Sequence, residues 1–136
     1  MLLRMQILCL ALFCAANAAN AQNLAPLADN QRVQDEFLAA AVGDSIRKNC
    51  PDISARLFRV LRKARELEAY AISLGYSQSD IKAMRTDPAA KRRLASMRNA
   101  YLRKNGVTPG QSDSYCRLGR QEIRQKSLIG WLLRAN

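Results

Sequence analysis

Apolar residues recur along this chain at spacings of three and four, the pattern that predicts amphipathic α-helices. The clearest stretch lies between residues 53 and 74, where the apolar residues fall on one broad arc of a helical wheel: Ile53, Leu57, Val60, Leu61, Ala64, Leu67 and Ala71. We expect a helix here that begins after an Asp52 or Ser54 cap and buries this arc. Gly75 is placed to end the helix, because glycine readily adopts the left-handed conformation of the C′ position.

Local start signals predict four more helices, which gives about five in all. Asp29 or Asn30 can cap a first helix, and Ser77 with Asp80 forms a capping box for the third. Pro88 is placed in the first turn of a fourth helix, and a fifth begins near residue 112. Alternation of apolar and polar residues is missing, so no strand is predicted. The fold class is therefore all-α, a small bundle of about five helices.

Residues 1–21 are predicted to form a secretory signal peptide. Arg4 precedes a nearly unbroken apolar run from Met5 to Ala16, and Ala19-Asn20-Ala21 has the small-x-small pattern of a signal-peptidase site. The run is shorter than the roughly 20 apolar residues that cross a bilayer, which disfavours a membrane anchor. Cleavage near Ala21 would leave one periplasmic or secreted all-helical domain, residues 22–136, without a transmembrane span.

The cysteine count changes once this leader is removed. Cys9 and Cys14 lie inside the leader, so the exported chain would keep Cys50 and Cys116. Two thiols in an oxidising compartment are expected to pair, and we predict a disulfide between them. Such a link can contribute on the order of 4 kcal/mol to stability. Neither cysteine belongs to a Cys-x-x-Cys unit, which disfavours a redox or metal-binding role.

Composition excludes several classes of enzyme. The chain of 136 residues contains no histidine, so Ser-His and Cys-His nucleophilic systems are ruled out. Glycine-rich phosphate loops and nucleophile elbows are missing as well. We therefore predict no catalytic, cofactor-binding or metal-binding residues. The rival hypothesis is a small enzyme that uses a pair of carboxylates on an anionic cell-envelope polymer.

The charge balance points to an anionic partner. Lys and Arg number 22 against 11 Asp and Glu, a formal charge of +11. Nucleic acid is disfavoured, because aromatic residues are only 6% of the chain and export separates it from the usual nucleic acids. The alternatives are a solvated cationic surface, an acidic protein partner or an anionic membrane surface. The candidate contact residues are Arg59, Arg62, Lys63, Lys91, Arg92, Arg93 and Trp131.

Two features of the chain leave alternatives open. Glu68 falls inside the apolar arc of the second helix, so it either forms a buried ion pair with Arg117 or Arg120, accepts a hydrogen bond from a tyrosine, or lies where the helix leaves the core. The apolar C-terminal tail, residues 128–134, either folds back into the core or docks onto a partner or membrane surface, where its Trp131 would be favoured.

Three patches of the chain resemble a bacterial family catalogued as domain of unknown function 5333. They are Ile46-Arg47-Lys48-Asn49-Cys50-Pro51, the segment from Tyr115 to Ile123, and the segment from Ile129 to Arg134. The resemblance implies a small exported helical protein with two paired cysteines. It also implies an association with a membrane or a respiratory complex, because genes of this family lie near those of respiratory NADH dehydrogenase. We expect a non-enzymatic exported binding or accessory protein with a cationic helical surface.

Overall fold

The computed structural model describes residues 24–136, and the predicted signal peptide lies outside this range. The described chain is dominated by helices, which confirms the all-α class. A 3-10 turn at Leu27–Asp29 precedes the first helix. The α-helices are α1 (Gln31–Asn49), α2 (Leu57–Ser73), α3 (Gln78–Thr86), α4 (Pro88–Lys104), α5 (Ser112–Gln125) and α6 (Leu128–Leu132). The strands are β1 (Ile53–Ala55) and β2 (Leu133–Ala135).

Three of the predicted start signals act as expected. The Asn30 side chain caps α1 by accepting a hydrogen bond from a backbone N–H of the first turn. Ser77 and Asp80 form the complete reciprocal capping box at α3. Asp87 caps α4, and Pro88 occupies its first turn. Each signal acts over three or four residues of local backbone, which is why the sequence predicts it correctly.

The two short strands were not predicted, and they displace the start of α2. Ile53 lies opposite Ala135 and Ala55 opposite Leu133 in a two-stranded antiparallel ribbon. The Arg56 backbone N–H then donates to the Leu132 carbonyl at 2.8 Å. The predicted Asp52 or Ser54 cap is therefore wrong, because Asp52 lies in the turn before β1 and Ser54 lies within β1, whose partner strand is about eighty positions away in the sequence.

The main core is built by α1, α5, α6 and the ribbon. Val42, Ile46 and Leu118 are almost completely shielded from solvent, as are Cys50 and Leu133. The C-terminal tail belongs to this core, since most of its apolar residues are buried there. Of the two alternatives for residues 128–134, the structure shows the folded-back arrangement.

A second, smaller cluster joins the N-terminal turn to α1, α2 and α3. It is centred on Leu27, Val33, Ala71 and Ile81. α2 contributes Ala71 to this cluster, with Leu67 packed against it. Ala71 is buried, whereas Leu57 and Leu61 point outwards. The expectation that the whole arc faces the core is thus wrong for Leu57 and Leu61, whereas Val60 packs against the main core.

Candidate functional site

Three large apolar side chains stand exposed at the start of α2. Leu57, Phe58 and Leu61 keep 69%, 90% and 55% of their surface accessible. We call these three residues the α2 ridge. Leu61 follows Phe58 by three positions, and Arg65 follows Phe58 by seven. Helical geometry therefore places Phe58, Leu61 and Arg65 on one face. Arg65 is exposed as well, which puts a cation in line with the ridge.

Cationic side chains gather around Trp131 on the neighbouring flank of α2. The guanidinium carbons of Arg59 and Arg62 lie 5.0 Å from the centroid of the indole ring, and Lys63 Nζ lies 5.6 Å away. We call this group the Trp131 cluster. Arg59 also donates a hydrogen bond to the Trp131 carbonyl at 3.0 Å. Three cations within 6 Å of one ring agree with the cation–π geometry, and they tie α6 to α2.

The charge of the Trp131 cluster is only partly compensated. Within the described chain, its acidic neighbour is Glu66, which lies 3.1 Å from Lys63 and 3.7 Å from Arg62. One carboxylate thus pairs with two of the three cations. Both the Arg62 and Glu66 side chains are largely exposed, so this pairing is weak and leaves Arg62 able to meet an external anion.

An open groove borders the ridge on its other side. It has a volume of about 570 Å³ and runs between α1, the ribbon and α2. Leu57, Val60 and Leu133 contribute its apolar wall and floor, while Arg47 and Arg134 stand at its rim. Cations therefore flank the ridge on both sides.

Among the described residues, the one acidic residue that lines the groove, Asp44, is paired with two cations. Asp44 forms salt bridges of 2.6 Å with both Arg47 and Lys48. Burial works to raise the pKa of Asp44, but the hydrogen bonds and charges of Lys48 and Arg47 outweigh it and hold that pKa below its usual value. Asp44 is consequently ionised in the neutral range, and it offsets part of the positive charge at this rim.

The second predicted basic run forms a separate patch. Lys91 and Arg93 line a small apolar cavity of about 90 Å³ between α1, α3 and α4, and α2 contributes nothing to that cavity. Arg93 is engaged with Asp29 at 2.7 Å. Arg92 is exposed. The structure therefore brings together Arg59, Arg62, Lys63 and Trp131 from the predicted contact set, and places the α4 run elsewhere.

The predicted disulfide between Cys50 and Cys116 is confirmed. Their Cα atoms lie 5.1 Å apart, and both residues are buried between α1 and α5. Asp52 completes the one group of three candidate metal ligands found in the described residues. Because both sulfurs of that group are joined to each other, neither is a thiolate that could bind a metal. The pair links the end of α1 to α5 and has a structural role.

Of the alternatives left open for Glu68, the structure shows neither a buried ion pair nor a hydrogen bond from a tyrosine. The Glu68 side chain is 36% exposed, accepts a hydrogen bond from Gln78 at 2.8 Å and lies 3.8 Å from Arg85. Its partners thus come from α3, and Glu68 lies at the edge of the smaller cluster, next to Leu67. Neither Arg117 nor Arg120 is the partner: Arg117 donates to the Gly106 carbonyl, and Arg120 lies 3.8 Å from Asp52.

The buried carboxylate of the structure is Glu122 on α5, with 3% exposure. Tyr101 donates its hydroxyl to one carboxylate oxygen at 2.5 Å, and Ser127 donates to the other. Burial raises the pKa of Tyr101, and the hydrogen bond and negative charge of Glu122 raise it further. Both carboxylate oxygens are therefore occupied inside the protein, which makes Glu122 an anchor between α4, α5 and the tail.

Sequence reasoning missed the α2 ridge, although one signal was available. Phe58 lies outside the predicted apolar arc of α2, so no rotation of the helix could bury both Phe58 and Leu67. An aromatic residue on the polar side of an amphipathic helix indicates a contact surface. Glu122 carries no comparable signal, because its burial depends on how the tail folds over α5.

Comparison with known proteins places the chain in a family without assigning an activity. Within residues 24–136, no helix is both long enough and apolar enough to cross a membrane. No curated protein and no solved structure matches the chain. The model of one family does match, over residues 25–134, and so covers most of the chain. The chain belongs to that family, DUF5333, which is described as a family of unknown function.

Proposed function

We propose that the protein is an exported, non-enzymatic binding module that docks onto an anionic partner through the N-terminal half of α2. The α2 ridge carries this proposal, because it leaves three large apolar side chains in water beside the Trp131 cluster. A contiguous group of exposed apolar residues with polar residues around it is typical of an interaction site.

Covering the ridge would supply a useful part of the binding free energy. Burying a Leu or Phe side chain completely contributes about 1.5–3 kcal/mol. Scaled by the exposed fractions of Leu57, Phe58 and Leu61, full coverage contributes on the order of 4 kcal/mol. This gain precedes the cost of association, so the ridge alone supports a weak contact. The neighbouring charges have to supply the rest.

The charges select an anionic partner. Arg62 and Arg65 lie beside the ridge, and the Trp131 cluster holds three cations against one carboxylate. An anion placed over Arg62 would relieve the mutual repulsion of these cations. The formal charge of +11 acts in the same direction at longer range, since it steers the protein towards negative surfaces.

Export supports the proposal independently of the ridge. The predicted leader in residues 1–21 is typical of secreted chains. The Cys50–Cys116 disulfide is the kind of link that persists in oxidising compartments such as the periplasm. The partner would then be a component of the cell envelope or of the surroundings.

Sedimentation with washed cell envelopes tests this function. The protein, purified as the cell makes it and with its disulfide intact, is incubated with envelopes over a series of salt concentrations. We expect the protein to sediment at low salt and to be released at high salt. Phe58→Ala and the double variant Arg62→Ala/Arg65→Ala should stay in the supernatant. Arg103→Ala, which removes an exposed charge from the end of α4, is the matched control and should sediment like the original protein.

Two outcomes would contradict the proposal. One is that Arg103→Ala loses half as much binding free energy as the double variant, the share expected for one of two charges, which would reduce the effect to overall charge. The other is that Phe58→Ala binds as well as the original protein. Because Phe58 and Arg103 are both exposed, neither substitution should lower the melting temperature, and circular dichroism checks this.

A further inference from the structure

We infer that the anionic partner is a lipid bilayer, with Leu57 and Phe58 inserted at its interface and Leu61 at the edge of the contact. This inference rests on the proposed function and specifies it. A peripheral protein needs an apolar protrusion that enters the acyl boundary and cations that remain with the headgroups. The α2 ridge and the cations beside it offer both.

The shape of the ridge favours lipid over a protein partner. Phe58 keeps 90% of its surface accessible, so almost nothing in its own chain shelters it. A protein partner would need a pocket that encloses the whole ring, because protein surfaces bind by matched shape. Acyl chains are fluid and close around a protrusion without a matched pocket. A convex ridge of two leucines and a phenylalanine therefore fits a bilayer best.

The cations lie at the level that headgroups would occupy. Arg62 follows Phe58 by one helical turn, and Arg65 follows it by two. Their long side chains can rest their methylene groups along apolar surface while the guanidinium reaches a phosphate. On the groove side, Arg134 is exposed and follows the buried Leu133. Cations thus surround the ridge rather than covering one flank.

The start of α2 adds to the local positive field. The Arg56 cap position makes no side-chain hydrogen bond to the first turn, and that turn contains no acidic residue. The positive end of the helix dipole is therefore uncompensated next to Phe58. The N-terminal end of a helix is not in itself evidence of an anion-binding site, but this one lies next to the α2 ridge.

The acids of α2 define how far the contact extends. Glu66 and Glu68 occupy the third and fourth turns, where contact with anionic headgroups would be repulsive. Ile72 is 47% exposed but lies beyond them. We therefore infer that α2 meets the membrane with its N-terminal end and is tilted, so that Ile72 stays in water. In this tilted orientation only the N-terminal end of α2 touches the bilayer, whereas a helix lying flat would touch it along its whole length.

Protein-free vesicles test the inference. The purified protein is titrated with vesicles of phosphatidylglycerol and phosphatidylcholine, and with vesicles of phosphatidylcholine alone, at low and high salt. We expect binding only to the anionic vesicles at low salt. Phe58→Ala should weaken the partition coefficient by about tenfold or more. Arg62→Ala and Arg65→Ala should each weaken it roughly fivefold, since a basic residue near an anionic surface contributes about 1 kcal/mol.

Two substitutions serve as matched controls. Ile72→Ala removes an exposed apolar side chain from the same helix, and Arg103→Ala removes an exposed cation from α4. Both should bind like the original protein. A direct test of depth is Phe58→Trp in a Trp131→Phe background. Its fluorescence should be quenched by lipids brominated on the acyl chain, whereas Ile72→Trp in the same background should not be quenched.

The outcomes separate the inference from the proposed function. If the envelopes bind the protein but anionic vesicles do not, the partner is an acidic protein: the inference falls and the proposed function stands. If neither binds, both fall. Equal losses for Phe58→Ala and Ile72→Ala would overturn the tilted insertion, and equal losses for Arg62→Ala and Arg103→Ala would reduce the interaction to net charge. The inference is supported if Phe58→Ala and Arg62→Ala weaken vesicle binding while Ile72→Ala and Arg103→Ala do not.

Discussion

Replacing Tyr101 by phenylalanine tests the buried contact that joins α4 to α5. The substitution keeps the ring and removes only the hydroxyl that donates to Glu122. One oxygen of a carboxylate that is 3% exposed then loses its donor, while Ser127 continues to serve the other. A hydrogen bond to a charged group contributes about 1.5–3 kcal/mol. We therefore expect Tyr101→Phe to lower the free energy of unfolding by about 2 kcal/mol.

Urea denaturation near neutral pH, with the disulfide oxidised, measures this loss. Tyr70→Phe is the matched control, because the Tyr70 hydroxyl accepts only a long hydrogen bond of 3.4 Å from Asn30. The control should lose less than about 0.5 kcal/mol, the range of substitutions away from key contacts. A double-mutant cycle with Glu122→Gln isolates the pair. If Tyr101→Phe were as stable as Tyr70→Phe, the account of Glu122 as an anchor would be refuted.

The same contact predicts an alkaline dependence. Burial and then the Glu122 carboxylate raise the pKa of Tyr101 above its ordinary value of 10.0. Because that pKa is higher in the folded state, the contribution of Tyr101 is complete below pH 10 and is lost as the pH rises towards the folded pKa. The difference in unfolding free energy between the original protein and Tyr101→Phe should be constant at neutral pH and shrink above about pH 10. A difference that grows with pH would contradict this assignment.

Three further predictions concern the disulfide, the C-terminal tail and a helix cap. Replacing Cys50 and Cys116 by serine should lower the free energy of unfolding by on the order of 4 kcal/mol, measured by urea denaturation, and an unchanged midpoint would show that the link is dispensable. Gly130→Ala should destabilise the fold by about 1–3 kcal/mol, because the added methyl group would overlap the Glu122 carbonyl; a thermal melt checks this, and an unchanged melting temperature would rule out the close packing. Backbone N–H groups at the start of α4 hold the pKa of Asp87 below its ordinary 3.8, so its contribution is present above that pH and is lost in acid. Asp87→Asn keeps a cap and should weaken the acid dependence of stability, which denaturation at several acidic pH values would show; identical profiles would contradict the role of Asp87.

Local signals account for the part of the fold that the sequence predicted. The caps at Asn30, Ser77 and Asp87 each depend on a few neighbouring residues, and all three are present. The disulfide followed from the pairing of the two cysteines outside the leader. The α-helical class followed from the spacing of apolar residues. In each case the information lies within one element or in one pair of side chains.

Long-range contacts account for what the sequence did not predict. Ile53 is paired with Ala135, and no local pattern in a three-residue strand indicates a partner so far along the chain. That ribbon delays the start of α2 and changes which side of the helix meets the core. As a result Leu57 becomes exposed and Glu68 reaches α3 instead of the core. A carboxylate that accepts a hydrogen bond from a tyrosine was one of the alternatives for Glu68, but the residue in this position is Glu122, which Ser127, the residue before the tail, also contacts.

The prediction of a cationic contact surface is sharpened in the same way. Arg59, Arg62 and Lys63 meet at Trp131 because α6 packs beside α2, an arrangement that the spacing along α2 alone does not reveal. The tail thus contributes to the core and also positions Trp131 beneath the cations. Of the two roles that the sequence left open for the tail, the structure shows the folded-back one.

Hydroxyl-radical footprinting of the protein on washed envelopes locates the contact surface residue by residue. We expect Leu57, Phe58 and Leu61 to react readily in the free protein and to become protected on binding. Exposed side chains outside the contact, including Ile72, should keep their reactivity. Protection of the α4 run at Lys91 and Arg93, with Phe58 as reactive as before, would show that the α2 ridge is not the contact surface.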